Sequence, residues 1–461
     1  MVGKVVLAAR TNSSRKENGQ FLTSPLIARN MAKRLGLLPE DARVLDPSIG
    51  SAALPCAVIE HAITIGFPKR LQVVGYDTDG ELCETARATL ADAAAAALEH
   101  DITVSFEVWH HDFLSAHFPL ATSPIFDGPE EPWASFHAVI ANPPYFKLRA
   151  DDPRVQAITG RVRGHTNIYT LFMALSAKLL DEQGRSVFIV PRSFCSGAYF
   201  AGFRADFIDM VTPTSVHVFE SRQDAFKSDA VLQENVVITF EKSAEGEARR
   251  DVQITSSSGA VTMQAAIPRK VSINHFLGER SSEVFFRVPT SELDEHILDL
   301  LDGWPDSLQS LGFEVSTGPV VPFRARPLLT DARAVENGVA LPLYWMQNIE
   351  ADRTNWPTDR RGKSQGILKE AGGKRLLVPA ANYVLIHRFS AKEERRRLTA
   401  APFLKAEYGH ELVGLENHVN YLYRKDGELT EYEACGLSAL LNSALIDRYF
   451  RISNGHTGKR N

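Results

Sequence analysis

The stretch Phe136-His137-Ala138-Val139-Ile140-Ala141-Asn142-Pro143-Pro144-Tyr145-Phe146 decides how this chain is to be read. Its first six residues are almost continuously apolar, the pattern of a strand buried on both faces. Two consecutive prolines then remove two backbone donors and fix two φ angles, so the strand empties into a rigid turn. An amide side chain, a proline carbonyl and an aromatic ring held together at a strand end form a grip for a planar group that carries an amine.

Working outward, apolar strands alternate with helical segments on both sides. Strands are predicted over Ala42 to Leu45, Leu71 to Tyr76, Val104 to Trp109, Arg185 to Val190, Val216 to Phe219 and Asn235 to Phe240. Helices are predicted over residues 24 to 36, with Ser24 as cap and Pro25 in the first turn, and over Ala52 to Ile63, Gly80 to Glu99 and Ile168 to Leu180. This rhythm predicts an α/β fold built on a mostly parallel, doubly wound sheet. A polar connection follows from Phe240 to Ala260. Past about residue 245 short strands and turns take over, with Pro319, Pro322 and Pro327 after Gly318 and helical signal at 390–408 and 430–450. The expected organisation is a flexible N-terminus over 1–18, a sheet domain over 19–245 and a mixed α+β domain over 246–461.

A chain of 461 residues is too long for one core and suits two domains. Cys56, Cys83, Cys195 and Cys435 show no CxxC spacing, which fits a reducing cytoplasm better than a disulfide framework. No signal peptide or long apolar run predicts a membrane segment. The net charge is only −5, yet residues 359–397 hold eleven Lys/Arg against four Asp/Glu, including Lys374, Arg375, Arg388 and the triplet Arg395-Arg396-Arg397. Such a local basic concentration suits a phosphate backbone.

Three more strand ends carry acidic groups. Asp46-Pro47-Ser48-Ile49-Gly50-Ser51-Ala52 combines a carboxylate with a Gly/Ser turn that lets backbone approach a ligand; neither GxGxxG nor GxxxxGK[ST] is present. Asp77 ends the second strand, where a carboxylate commonly grips ribose hydroxyls, while Asp79 is its rival as a helix cap. After the third strand Asp112 can accept from an adenine amine and Phe113 can cover the ring. His110 and His111 are adjacent in an extended segment and point apart. No metal site is expected.

These motifs, in this order, resemble those of bacterial restriction–modification DNA adenine methyltransferases, of the class whose cofactor motifs precede the catalytic motif and whose target-recognition domain is C-terminal. The resemblance covers nearly the whole chain. It implies a Rossmann-like S-adenosyl-L-methionine-dependent methyltransferase sheet followed by a DNA-recognition domain. Gly19 to Pro25 resembles the motif that folds over the methionine end of the cofactor, with Thr23 as contact. Asp46 and Gly50 match the cofactor turn, Asp77 the ribose carboxylate, Asp112 and Phe113 the adenine contact, and Asn142, Pro143, Pro144 and Tyr145 the catalytic motif. Ala52 stands where the family usually has a third small residue, glycine.

The resemblance further implies methyl transfer to the 6-amino group of an adenine flipped out of duplex DNA, with S-adenosyl-L-homocysteine as product and no metal. A base inside a duplex is out of reach, so extrusion is required. Tyr145 would stack on one face of the base and Phe226 on the other, with Phe219 as rival to Phe226. Pro191-Arg192-Ser193-Phe194 resembles a later sheet motif that shapes the pocket wall. Val315 to Gly318, Asn382 to Leu385, Asn417 to Tyr421 and the tail from Ser443 resemble segments of the recognition domain. Lys374, Arg375, Arg448, Arg451 and His456 are the DNA-contact candidates. No Pro-Asp…Glu-x-Lys nuclease pattern occurs, so a separate cognate endonuclease is the implied partner, with this chain acting as a monomer on DNA. Methylation of RNA or of a protein glutamine amide is the alternative enzyme reading. An inactive DNA-binding module is the non-enzyme one.

Overall fold

The computed structural model describes residues 23–117, 135–149, 151–152, 154, 167–220, 234–242, 251–280, 283–358, 362–370, 375–390 and 394–454. The expected flexible segment 1–18 lies outside them. The chain divides into two compact units, one closing at Thr290 and one spanning Ser291–Ile452.

In the first unit, helix α1 (Pro25–Arg34) begins where the Ser24 hydroxyl accepts from the Ile27 N–H and Pro25 occupies the first turn. Strands β1 (Asp41–Asp46), β2 (Arg70–Asp77), β3 (Thr103–His110), β4 (Phe136–Ala141) and β5 (Leu180–Pro191) alternate with helices α2 (Ala53–Ile65), α3 (Gly80–Leu98), α4 (Phe113–Ala116) and α5 (Ile168–Lys178). Helix α6 (Ala201–Met210) precedes β6 (Thr212–Phe219), β7 (Asn235–Glu241), β8 (Val252–Ser257) and β9 (Arg269–Val271). The sheet order is β3-β2-β1-β4-β5-β7-β6-β8-β9. From β3 through β5 every pairing is parallel; β7 runs antiparallel between β5 and β6. Strand order reverses between β1 and β4, and the crevice outside the carboxyl ends of such neighbours is where open sheets bind ligands.

Successive strand residues enter opposite cores, as the pleat requires. Leu45 and Val139 pack on the side of α5 and α6, whereas Val44 and Ile140 pack on the side of α1, α2 and α3. Both faces are covered, which is why the strands read as continuous apolar runs.

Sequence and structure part at three places. The polar connection 240–260 contains β8, which pairs parallel with β6 and carries β9 in turn. Buried Val252 and Ile254 draw this segment into the sheet. The first unit therefore runs to Thr290, and the expected boundary at 245/246 falls between two strands of one sheet. The helix expected over 390–408 is instead strand Ala400–Phe403 followed by the single turn Lys405–Tyr408. Ala400 and Ala401 are fully buried, and Pro402 is unsuited to a helix interior.

The second unit is α+β. One sheet orders strands Phe313–Thr317, Val419–Arg424, Tyr383–His387 and Ala400–Phe403, all antiparallel. Its Leu385, Phe403 and Val419 face Tyr344, Val413 and Leu415 of a second, five-stranded sheet; its Val384 and Leu422 face Leu429 and Ala434, the latter on helix Glu431–Leu441.

A buried polar network fastens α1 to the far side of the first sheet. The Arg34 guanidinium donates to Ser215 Oγ and Thr255 Oγ1, both at 2.9 Å. His217 is fully buried between Thr255 Oγ1 (2.8 Å) and Ser257 Oγ (2.9 Å). Burial, reinforced by the Arg34 charge, pushes this imidazole down to about 3, so it packs as the neutral ring. Arg34→Leu removes two charge-assisted hydrogen bonds and should cost about 2–4 kcal/mol in urea unfolding. A change below about 0.5 kcal/mol would show that the network does not hold the helix.

Candidate active site

The four strand ends singled out in the sequence lie side by side at the carboxyl edge of β3, β2, β1 and β4. After β1 the chain turns sharply. Ser48 N–H donates to Asp46 Oδ1 (3.1 Å), Ile49 N–H to the Tyr76 carbonyl (2.9 Å) and Gly50 N–H to Asp77 Oδ2 (3.0 Å). Gly50 has φ +53°, and a Cβ there would meet nothing within 4 Å, so open space lies over this backbone. Ala52 takes the left-handed conformation a glycine would take, φ 64°, before α2 begins. Its methyl group leaves the turn intact at a cost of about 1 kcal/mol.

Asp46 is 1% exposed, and its Oδ2 has no protein hydrogen-bond partner. Burial, with the Asp77 charge adding to it against the Ser48 N–H, pushes its carboxyl up to about 8. Asp77 is also raised, chiefly by burial; its other oxygen accepts from Asp79 N–H at 2.9 Å. Asp79 is the cap of α3, accepting from Glu81 and Leu82 N–H. The two acids therefore divide the roles between them, Asp77 facing the glycine turn and Asp79 the helix.

Asp112 caps α4 through Leu114 N–H (2.9 Å), and its second oxygen lies 3.5 Å from Arg154 Nη1. Phe113, expected to cover a cofactor ring, is a core residue instead. It is 1% exposed, with the Tyr76, His117 and Phe172 rings at 5.6, 4.8 and 5.4 Å. Capping at Asp112 turns this first helical side chain inward. His110 and His111 bond separate carbonyls, of Thr78 and Asp112. Among the described residues no group of three or more His, Cys, Asp or Glu is placed to hold a metal ion.

Asn142 follows β4 directly. Its Nδ2 donates to Thr23 Oγ1 at 3.1 Å, across 119 positions of sequence. Its Oδ1 lies 2.6 Å from the Tyr145 hydroxyl, which lies equally close to the Ile189 carbonyl at the end of β5. One phenolic proton serves both acceptors in turn. Burial raises the Tyr145 hydroxyl well above its ordinary value, so it stays protonated and donates. The Tyr169 ring meets Tyr145 edge-on at 6.1 Å. Of the proposed stacking pair, Phe226 lies outside the described residues, and the rival Phe219 is core, 4.8 Å from the His217 ring. Arg192 is buried in an ion pair with Glu234 at 3.0 Å, joining the ends of β5 and β7.

The DNA-contact candidates fare differently. Lys374 and His456 lie outside the described residues, and Arg375 is exposed with φ 57°. Arg448 pairs with buried Asp294 and also donates to Ser291. Arg451 pairs with Asp447 and donates to the carbonyls of Glu394 and Arg395. Both guanidinium groups thus pair with acids within their own unit. In the triplet, Arg397 is buried and Arg396 satisfies the carbonyl of Asn442 at the end of helix Glu431–Leu441.

A family model described as Eco57I restriction-modification methylase matches residues 73–226. The type II methyltransferase M.PstI of Providencia stuartii is 31% identical over 444 residues, covering 96% of this chain and 85% of that protein. The type II methyltransferase M.BsuBI of Bacillus subtilis is 31% identical over 454 residues, covering 96% and 86%. This chain belongs to the type II restriction–modification DNA methyltransferases. In fold, the methyltransferase is also similar to the type IIL restriction–modification enzyme MmeI, solved in complex with DNA, with TM-score 0.52 and 9% identity over 89% of this chain and 59% of that one.

The residues present fit the family's cofactor, S-adenosyl-L-methionine. A buried carboxylate with one oxygen lacking a protein partner suits a cationic group, and the open space over Gly50 suits a ligand lying on the turn. Among the described residues no helix of the methyltransferase is long and apolar enough to cross a membrane.

The Asp46 shift has a signed consequence for the cofactor-free protein. Between the ordinary carboxyl value of 3.8 and about 8, the folded chain keeps a proton that the unfolded chain has released. Stability from this group is full below about 4 and is lost as pH rises towards 8. Asp46→Asn should therefore be more stable than the parent above pH 5, by a margin that grows to the order of 5 kcal/mol at pH 8. A margin independent of pH in thermal unfolding would contradict this.

Proposed function

We propose that this methyltransferase transfers a methyl group to the 6-amino nitrogen of an adenine flipped out of duplex DNA. The observation that carries the reading is the Asn142 amide, pinned between the Thr23 and Tyr145 hydroxyls at the end of β4. With Nδ2 engaged by Thr23, the amide plane is fixed and Oδ1, an acceptor, is the atom that would take an amine proton. A second amine proton would go to the Pro143 carbonyl. Two such bonds localise a lone pair that the purine ring otherwise spreads, so the nitrogen becomes a nucleophile without a strong base. The Tyr145 ring lies against one face of the base, and Phe226 is the proposed partner on the other.

When bound, S-adenosyl-L-methionine supplies an already activated methyl group and leaves as S-adenosyl-L-homocysteine. Around it, Asp46 would hold the ammonium, Asp77 the ribose hydroxyls and Asp112 the adenine amine, with Gly50 and Thr23 shaping the cradle. No metal takes part in this reading. The proposal extends to a role as the protective partner of a separate endonuclease acting on the same site, in the cytoplasm, with the methyltransferase working as a monomer on DNA.

The test is incubation with methyl-labelled S-adenosyl-L-methionine and mixed-sequence duplex DNA, then digestion to nucleosides. Label is expected in N6-methyldeoxyadenosine. Label in N4-methyldeoxycytidine, or transfer to RNA or protein but not DNA, would overturn the assignment.

A further inference from the structure

One end of the four-stranded sheet in the second unit carries a charged turn that the reading above leaves unused. Strands Phe313–Thr317 and Tyr383–His387 finish there and Val419–Arg424 begins, with Thr317 opposite Asn420 and His387 opposite Val419. The turn leading into the last strand is Glu416-Asn417-His418. Glu416 is 1% exposed, although both its oxygens are spent on a residue that is itself at the surface. Oε1 faces His418 Nδ1 at 2.5 Å and Oε2 accepts from His418 N–H at 3.0 Å.

Arg388 is exposed and tied to the same turn. Its backbone N–H donates to the His418 carbonyl (3.0 Å), and its Nη1 donates to the Asn417 carbonyl (2.9 Å). The Phe389 ring lies 5.3 Å from the imidazole. The backbone is pressed together tightly: a Cβ on Gly318 would lie 2.3 Å from the Glu416 carbonyl oxygen, so only glycine fits there.

Burying a carboxylate is unfavourable, and pairing it with a half-exposed histidine recovers little of that as stability. The arrangement does orient the ring. With Nδ1–H given to Glu416, Nε2 is the nitrogen left for an outside partner, beside a permanent guanidinium cation. We propose that His418 and Arg388 form a grip for the phosphate backbone of duplex DNA, with Glu416 as its positioning residue. Protonated, the imidazole donates through both nitrogens, one to Glu416 and one to a phosphate oxygen. The grip rests on duplex DNA being the substrate, and it adds no base reading.

The test uses the full chain and a fluorescent mixed-sequence duplex of about 30 base pairs, with affinity measured by anisotropy over roughly 50–200 mM salt. Arg388→Ala and His418→Ala should each weaken binding to every duplex sequence and flatten the slope of log affinity against log salt by about 1. Glu416→Gln should behave as His418→Ala does, and His418→Arg should keep the parent slope. Parent slope and affinity in both alanine variants would overturn the grip. A loss confined to some duplex sequences would overturn it in favour of base contact. Arg388→Ala leaves the buried carboxylate in place, so it tests the idea even where a Glu416 variant fails to fold. Failure of the parent protein to bind DNA at all would instead remove the DNA reading on which the grip stands.

Discussion

The Asn142 side chain can hold an amine only if its amide plane is fixed, and much of the first unit bears on that condition. A lone amide at a strand end would rotate freely. Here Thr23 takes its nitrogen and Tyr145 its oxygen, from segments that reach the same point by different routes. Thr23 is placed by α1, which is capped by Ser24 at one end and bound by Arg34 across β6 and β8 at the other. Tyr145 is placed by the two prolines before it and by the Ile189 carbonyl of β5. The parallel pairing of β1, β4 and β5 makes these ends neighbours.

Beside that point the protein buries two carboxyl groups whose proton affinities are raised. The Asp77 charge adds to the burial that raises the proton affinity of Asp46, and Asp77 also accepts from the Gly50 N–H. Such an arrangement is costly in the empty protein and favourable once a cation arrives, which is the behaviour expected of a cofactor cradle rather than of a core. The cost is met by the surrounding double-faced packing of the sheet, where Val44, Leu45, Val139 and Ile140 are fully buried.

Much of this was legible in the sequence because burial on both faces writes a continuous apolar run, and because such a run ends where the ligand side begins. All seven predicted strands of the first unit are present, and the candidate site is built from the residues at their ends. What failed to read out depends on contacts distant in sequence. Phe113 is core because the Tyr76 and Phe172 rings, from other segments, close over it together with neighbouring His117. Arg448 resembles a surface cation until Asp294 is seen beside it, and Arg451 until the carbonyls of Glu394 and Arg395 are. Strand β8 alternates too weakly to be noticed without its partner β6. The Glu416–His418 contact had a local signal, two residues apart on one turn, but the burial of the carboxylate had none.

The most direct measurement on the central claim separates gripping the amine from holding the cofactor. Asn142→Ala should abolish methyl transfer to duplex DNA while calorimetry still detects S-adenosyl-L-methionine binding within a few-fold of the parent. Near-parental turnover in that variant would contradict the account, because the amide would then have no part in making the adenine nitrogen a nucleophile.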